Sequence, residues 1–154
     1  MGLDMYLSES VNLSHYPHSE GTDEYATAEQ ALDLTGITPE PGGGSVEVKA
    51  VVLNWRKANA VHRWFVENVQ LGKDDCGTYY VDDEDLKKLS VTAQQALDHK
   101  EYAGAYLPTQ EGFFYGSTEY DEWYFEGLEA TVAGVARVLR DKIARSSFEY
   151  SSSW

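Results

Sequence analysis

Apolar residues recur along this chain at two spacings, and the switches between them mark the elements. Leu3 to Leu7 alternates with a polar Asp4 between apolar neighbours and predicts a short strand. Ala26 to Leu34 holds good helix formers over a short span, enough for one short helix. Gly36 to Ser45 (GITPEPGGGS) is a loop, since two prolines and three consecutive glycines fit neither helix nor strand. Val46 to Leu53, rich in β-branched residues, predicts a strand.

Lys57 to Gln70 then changes to the helical period. Trp55, Ala58, His62, Phe65 and Val69 share one face, Arg56, Asn59, Arg63 and Glu67 another, and Gly72 is placed to end the helix. Thr78 to Val81 is a short strand. Asp82 or Asp83 caps a second helix, with Asp85 at capping-box spacing and Leu86, Leu89, Ala93 and Ala96/Leu97 as its stripe. Gly112 to Gly116 (GFFYG) predicts an aromatic strand between glycine hinges. Thr118 is the expected N-cap of the longest helix, whose apolar face runs through Tyr120, Trp123/Tyr124, Leu128, Thr131/Val132, Val135, Val138/Leu139 and Ile143. Arg137, Arg140, Lys142 and Arg145 gather where the helix dipole favours cations. The order of elements is not a βαβ alternation. It predicts an α+β protein with a small mixed or antiparallel sheet on three main helices. One domain over 1–148, with the 36–45 loop inside it and a flexible tail over 149–154, is expected.

Composition narrows the function classes. The 154 residues carry a formal charge of −14, from 26 acids against 12 bases. Such a surface repels nucleic acid and anionic membranes, so direct DNA or RNA binding and membrane association are not expected. The single cysteine, Cys76, excludes an intramolecular disulfide. With no secretory leader pattern and no apolar run of spanning length, the expected location is the cytoplasm.

The richest chemistry lies in Asn54 to Val81, where two Trp, a Phe, two Tyr, His62 and Cys76 stand beside Arg56, Lys57, Asn59 and Asn68. Aromatic faces next to polar donors suit a flat polar ligand. His62, on an apolar face, reads first as a core histidine with partnered ring nitrogens and second as the polar member of a pocket. Arg56, Lys57 and Arg63 read as a solvated face or as a clamp for phosphate or carboxylate. The GFFYGST segment supplies hydroxyls at Ser117 and Thr118 and stacking faces at Tyr115, Tyr120 and Trp123. It lacks a phosphate-loop ending. Asp74, Asp75 and Asp82 to Asp85 lack a calcium-loop spacing, and one Cys is too little for structural zinc, so no metal or cofactor is expected. The two aromatic segments are expected to meet and share one concavity. In it Trp55, Trp64 and Tyr115 would stack a base, Arg56 and Lys57 would meet phosphate, and Asn59, His62, Ser117 and Thr118 would complete the polar contacts.

Four stretches carry a resemblance: GLDMYL (2–7), WRKANAVHRWFVENVQ (55–70), DDCGTYYV (74–81) and LPTQEGFFYGSTEYDEWY (107–124). Together they resemble a group of small uncharacterised proteins encoded by phages and prophages. The resemblance covers about three tenths of the chain and implies a source, a phage accessory protein in the host cytoplasm, rather than an activity. Three functions follow as expectations. The first is sequestration of a small nucleotide-like host immune signal. The second is inhibition of a host protein by an acidic surface or nucleic-acid mimic, and the third is hydrolysis of a nucleotide signal through His62 and an acid such as Asp75. No catalytic residue is assigned, and homo-oligomerisation is left open.

Overall fold

A computed structural model of the protein describes residues 2–154. Its strands are β1 (Asp4–His15), β2 (Gly44–Arg56), β3 (Thr78–Val81) and β4 (Ser147–Ser153). Its helices are α1 (Asp23–Thr35), α2 (Asn59–Asn68), α3 (Asp83–Asp98), α4 (Ala103–Tyr106) and α5 (Glu122–Asp141). The strands form one antiparallel sheet in the order β2-β1-β4-β3, an α+β fold as the element order predicts. No helix among the described residues is long and apolar enough to cross a membrane.

Two compact units divide the chain, residues 1–9 with 51–154, and residues 10–50. In the first, Met5 and Leu7 of β1 and Phe148 and Tyr150 of β4 are fully buried, and α3 and α5 pack against each other. The α3 stripe Leu86, Leu89, Ala93 and Ala96 is buried, and so are Leu128, Thr131, Val135 and Val138 of α5. Each fully buried Leu or Phe contributes about 1.5–3 kcal/mol through removal of apolar surface from water. Asp82 caps α3 by accepting from the Asp85 amide at 2.9 Å, as its spacing predicts.

In the second unit, the outer parts of β1 and β2 accompany α1. Thr22 caps α1 by accepting from the Tyr25 amide, and Gly36, at φ 72°, ends it in the left-handed region. The His15 and Tyr25 rings stack at 4.5 Å. Gly43 is required by close approach: a Cβ there would lie 2.4 Å from the His15 carbonyl oxygen.

Four segments differ from expectation. Of residues 149–154, expected to be a loose tail, 149–153 belong with Ser147 and Phe148 to β4, which pairs antiparallel with β3 through Tyr79↔Tyr150 and Val81↔Phe148. Burial of Phe148 and Tyr150 outweighs the weak strand preference of the serines before and after them. GFFYG is a turn, closed by the Tyr115 amide donating to the Gly112 carbonyl, with Gly112 packed on the Tyr115 ring. Trp55 lies in β2, and the helix begins four residues later. Asp121, not Thr118, caps α5, its carboxylate accepting from the Tyr124 amide at 3.0 Å.

Candidate functional site

The junction between β2 and α2 builds the site. Arg56 ends β2, Lys57 takes a left-handed conformation at φ 55°, and α2 starts at Asn59. A lysine rarely adopts that backbone, and here the Lys57 amide is held by the Leu3 carbonyl at 2.7 Å. The 110–117 turn is fastened to the same junction by Asn59. Its buried amide donates to the Tyr115 and Ser117 carbonyls at 3.1 and 2.8 Å and accepts from the Gln110 amide at 3.2 Å. Gly116, at φ 91°, lets the turn lie against Lys57: a Cβ there would come within 3.1 Å of the lysine's own Cβ.

A cleft of about 360 Å³ opens between this junction, Ser117 and the first two turns of α5. Arg56 and Lys57 stand on one wall, Glu119 and Asp121 on another, and Trp123, Tyr124, Gly127 and Leu128 form the α5 side. The Arg56 side chain is 68% exposed, with Asp4 3.8 Å away. Ala58 supplies no side-chain cap, so the first-turn amides of α2 are left for another acceptor. Trp123 is 80% exposed. Burial holds the Tyr124 hydroxyl well above its ordinary range, and that hydroxyl donates to the Leu107 carbonyl at 2.7 Å, which fixes the ring.

Behind the cleft lies a separate polar cluster around His62. The ring is fully buried, with Nε2 3.0 Å from Asp74 Oδ1 and Nδ1 2.7 Å from the Tyr150 hydroxyl. A carboxylate only accepts, so Nε2 carries the proton and the Tyr150 hydroxyl donates to Nδ1. Asp74, 23% exposed, also accepts from the Tyr115 hydroxyl at 2.7 Å, the Trp154 indole at 3.1 Å and the Gln110 side chain at 3.4 Å. Burial lowers the His62 pKa, against an opposing pull from Asp74. Burial raises those of Tyr115 and Tyr150, with the Asp74 bond adding to the rise at Tyr115. Every polar atom of the imidazole is satisfied inside the protein. The ring is therefore a core histidine in a closed network and not a free base.

Of the residues expected in the pocket, Arg56, Lys57, Asn59 and Ser117 line the cleft, and the two aromatic segments do meet there. Trp55, His62, Trp64 and Tyr115 are buried and stand apart from its lining. Trp55 donates to Thr131 Oγ1 at 2.9 Å, and the Thr118 carbonyl accepts from Thr109. The partner of His62 is Asp74, while Asp75 is bonded to the Tyr79 hydroxyl and the Gly77 amide. Glu119, Asp121, Gly127 and Leu128 complete the cleft without having been expected there. The signal for its α5 wall was Trp123-Tyr124, since two adjacent large aromatics in a helix cannot both face one core. No group of three or more His, Cys, Asp or Glu among the described residues is arranged to hold a metal ion. Comparison with protein-family models, with curated proteins and with solved structures found no match.

Proposed function

We propose that the protein binds a small nucleotide-like metabolite in the cleft and retains it unchanged, in the manner of a phage sponge for a host signal. The observation that carries this reading is a convergence. Two cations, an uncapped helix start and a solvent-exposed tryptophan border one cleft on a protein of net charge −14. The guanidinium of Arg56 and ammonium of Lys57 suit a phosphate, and the α2 amides add donors on the same side. Glu119 and Asp121 repel a long polyanion but accept from ribose hydroxyls or amino groups, which favours a compact ligand. Retention rather than turnover follows from His62, whose ring nitrogens are both engaged in the core network.

Titration of nucleoside monophosphates followed by calorimetry tests the reading. The Arg56→Ala/Lys57→Ala double variant should weaken binding at least about tenfold at low salt, a loss of about 1.4 kcal/mol. The ligand should return from the complex chemically intact. Unaltered affinity in the double variant, or recovery of a hydrolysed product, refutes it.

Residues 10–50 favour a second reading, an acidic surface that covers a basic host protein. They carry seven carboxylates against one lysine, and Leu34 and Ile37 are exposed among them. An interaction of this kind depends on long-range charge and weakens between 50 and 300 mM salt. Charge-reversal at Asp23, Glu29 and Asp33 should then abolish inhibition of the host target while leaving nucleotide binding intact. Inhibition that survives the reversal excludes this reading.

A further inference from the structure

Gly127 lies in the interior of α5, and a Cβ added to it would meet nothing within 4 Å. A glycine weakens a helix interior relative to alanine, so one that persists there calls for a reason. Gly134, in the same helix, has a steric one: its Cβ would fall 2.6 Å from Leu53 Cδ1. No packing within the fold asks for Gly127. The open space beside it is the cleft, which it lines together with Trp123, one turn earlier on the same helix face. The backbone at this point is also held in place. The Gly127 carbonyl accepts from Thr131 Oγ1 at 2.7 Å, and that oxygen in turn accepts the Trp55 indole proton at 2.9 Å.

We infer that Gly127 is a notch that seats the flat ring of the ligand. A nucleobase lies over the bare α5 backbone beside the exposed Trp123 ring, while the phosphate lies across the cleft at Arg56 and Lys57. This rests on the nucleotide-binding reading above and adds the orientation of the ligand and the residue that admits its base. Tyr124 and Leu128 supply the remaining apolar wall, and their fixed packing makes the notch a rigid one. A cleft of about 360 Å³ stands near the small end of ligand pockets, which suits one mononucleotide.

The test uses the full chain with two probes, AMP and ribose 5-phosphate, which differ by the base alone. Wild-type protein should bind AMP at least tenfold more tightly than ribose 5-phosphate. Gly127→Leu, a good helix former, should fill the notch and bring AMP down to the affinity of ribose 5-phosphate. The sugar phosphate should itself change less than threefold. A melting temperature at or above wild type shows that Gly127→Leu is folded, and Gly127→Ala gives the same reading with a smaller loss should the leucine variant not fold. Equal wild-type affinities for the two probes, or AMP binding untouched by the substitution, overturn the notch and leave the cleft as an anion site. If neither probe binds wild-type protein, the nucleotide reading fails and the notch falls with it.

Discussion

Ending the chain after Ser146 should leave a protein with no cooperative unfolding transition. The deletion removes β4, which lies between β1 and β3 in the sheet, and so orphans the hydrogen-bonding edges of both neighbours. It also removes Phe148 and Tyr150, both fully buried, the latter stacked on Phe65 at 3.9 Å and bonded to His62. Loss of one buried aromatic costs about 3–5 kcal/mol, and two already approach the roughly 5–15 kcal/mol that stabilises a whole domain. Thermal melts followed by near- and far-ultraviolet circular dichroism check the outcome. A truncated chain that melts cooperatively within about 5 °C of full length would show that β4 is peripheral.

That strand was also the least legible part of the sequence. In FEYSSSW, Phe148, Tyr150 and Ser152 alternate inward, but the serines carry no strand preference, and the partners are β3 and a strand at the far end of the chain. Only burial against residues distant in sequence makes the segment a strand. The same cause hid the length of β1, whose outer half, Ser10 to His15, has only Val11 and Leu13 as apolar residues and belongs to the second unit. Helices α3 and α5 were legible because their signals are local. The Asp82 cap and the stripes Leu86–Leu89–Ala93–Ala96 and Leu128–Thr131–Val135–Val138 sit where their spacing placed them.

The site divides in the same way. Arg56, Lys57 and Asn59 are consecutive or nearly so, and a helix start brings them to one wall. Their nearness to Ser117 was expected from the need to cover the aromatic segments. Tryptophans near a polar cluster look alike in sequence whether they face it or face away, so periodicity does not separate Trp55 and Trp64 from Trp123 as stacking faces. Trp55 and Trp64 went into the core, leaving Trp123 at the rim. Choosing between Asp74 and Asp75 as the partner of His62 depends on the path of the loop between Gln70 and Gly77. Leu71, Gly72 and Cys76 all have positive φ in that loop, and no periodicity reports it.

The choice of Asp74 carries the other large expected effect. Asp74→Ala should lower stability by about 2–4 kcal/mol, roughly 6–12 °C in melting temperature, because the donors of His62 and Tyr115 lose their acceptor in a buried setting. Trp154 and Gln110, nearer to water, add less. The network also ties stability to pH through His62. Its folded pKa lies below the ordinary 6.5, chiefly through burial, so below pH 6.5 the unfolded chain takes up a proton that the folded ring resists. The contribution of the neutral ring is therefore complete above about pH 6.5. It is lost as pH falls from there toward the lowered folded value, at up to about 1.4 kcal/mol per pH unit. Asp74 opposes the lowering, so its removal should carry the acid loss to lower pH and make it larger. His62→Gln, which cannot titrate, should melt earlier at pH 8 but lose this slope between pH 7 and 5.5. Urea unfolding of the three proteins across that range decides the matter. An Asp74→Ala protein as stable as wild type, or a wild-type acid slope in His62→Gln, would mean that the cluster does not hold the sheet to α2. Should the slope follow His62 as described, the core excludes the charge of the ring.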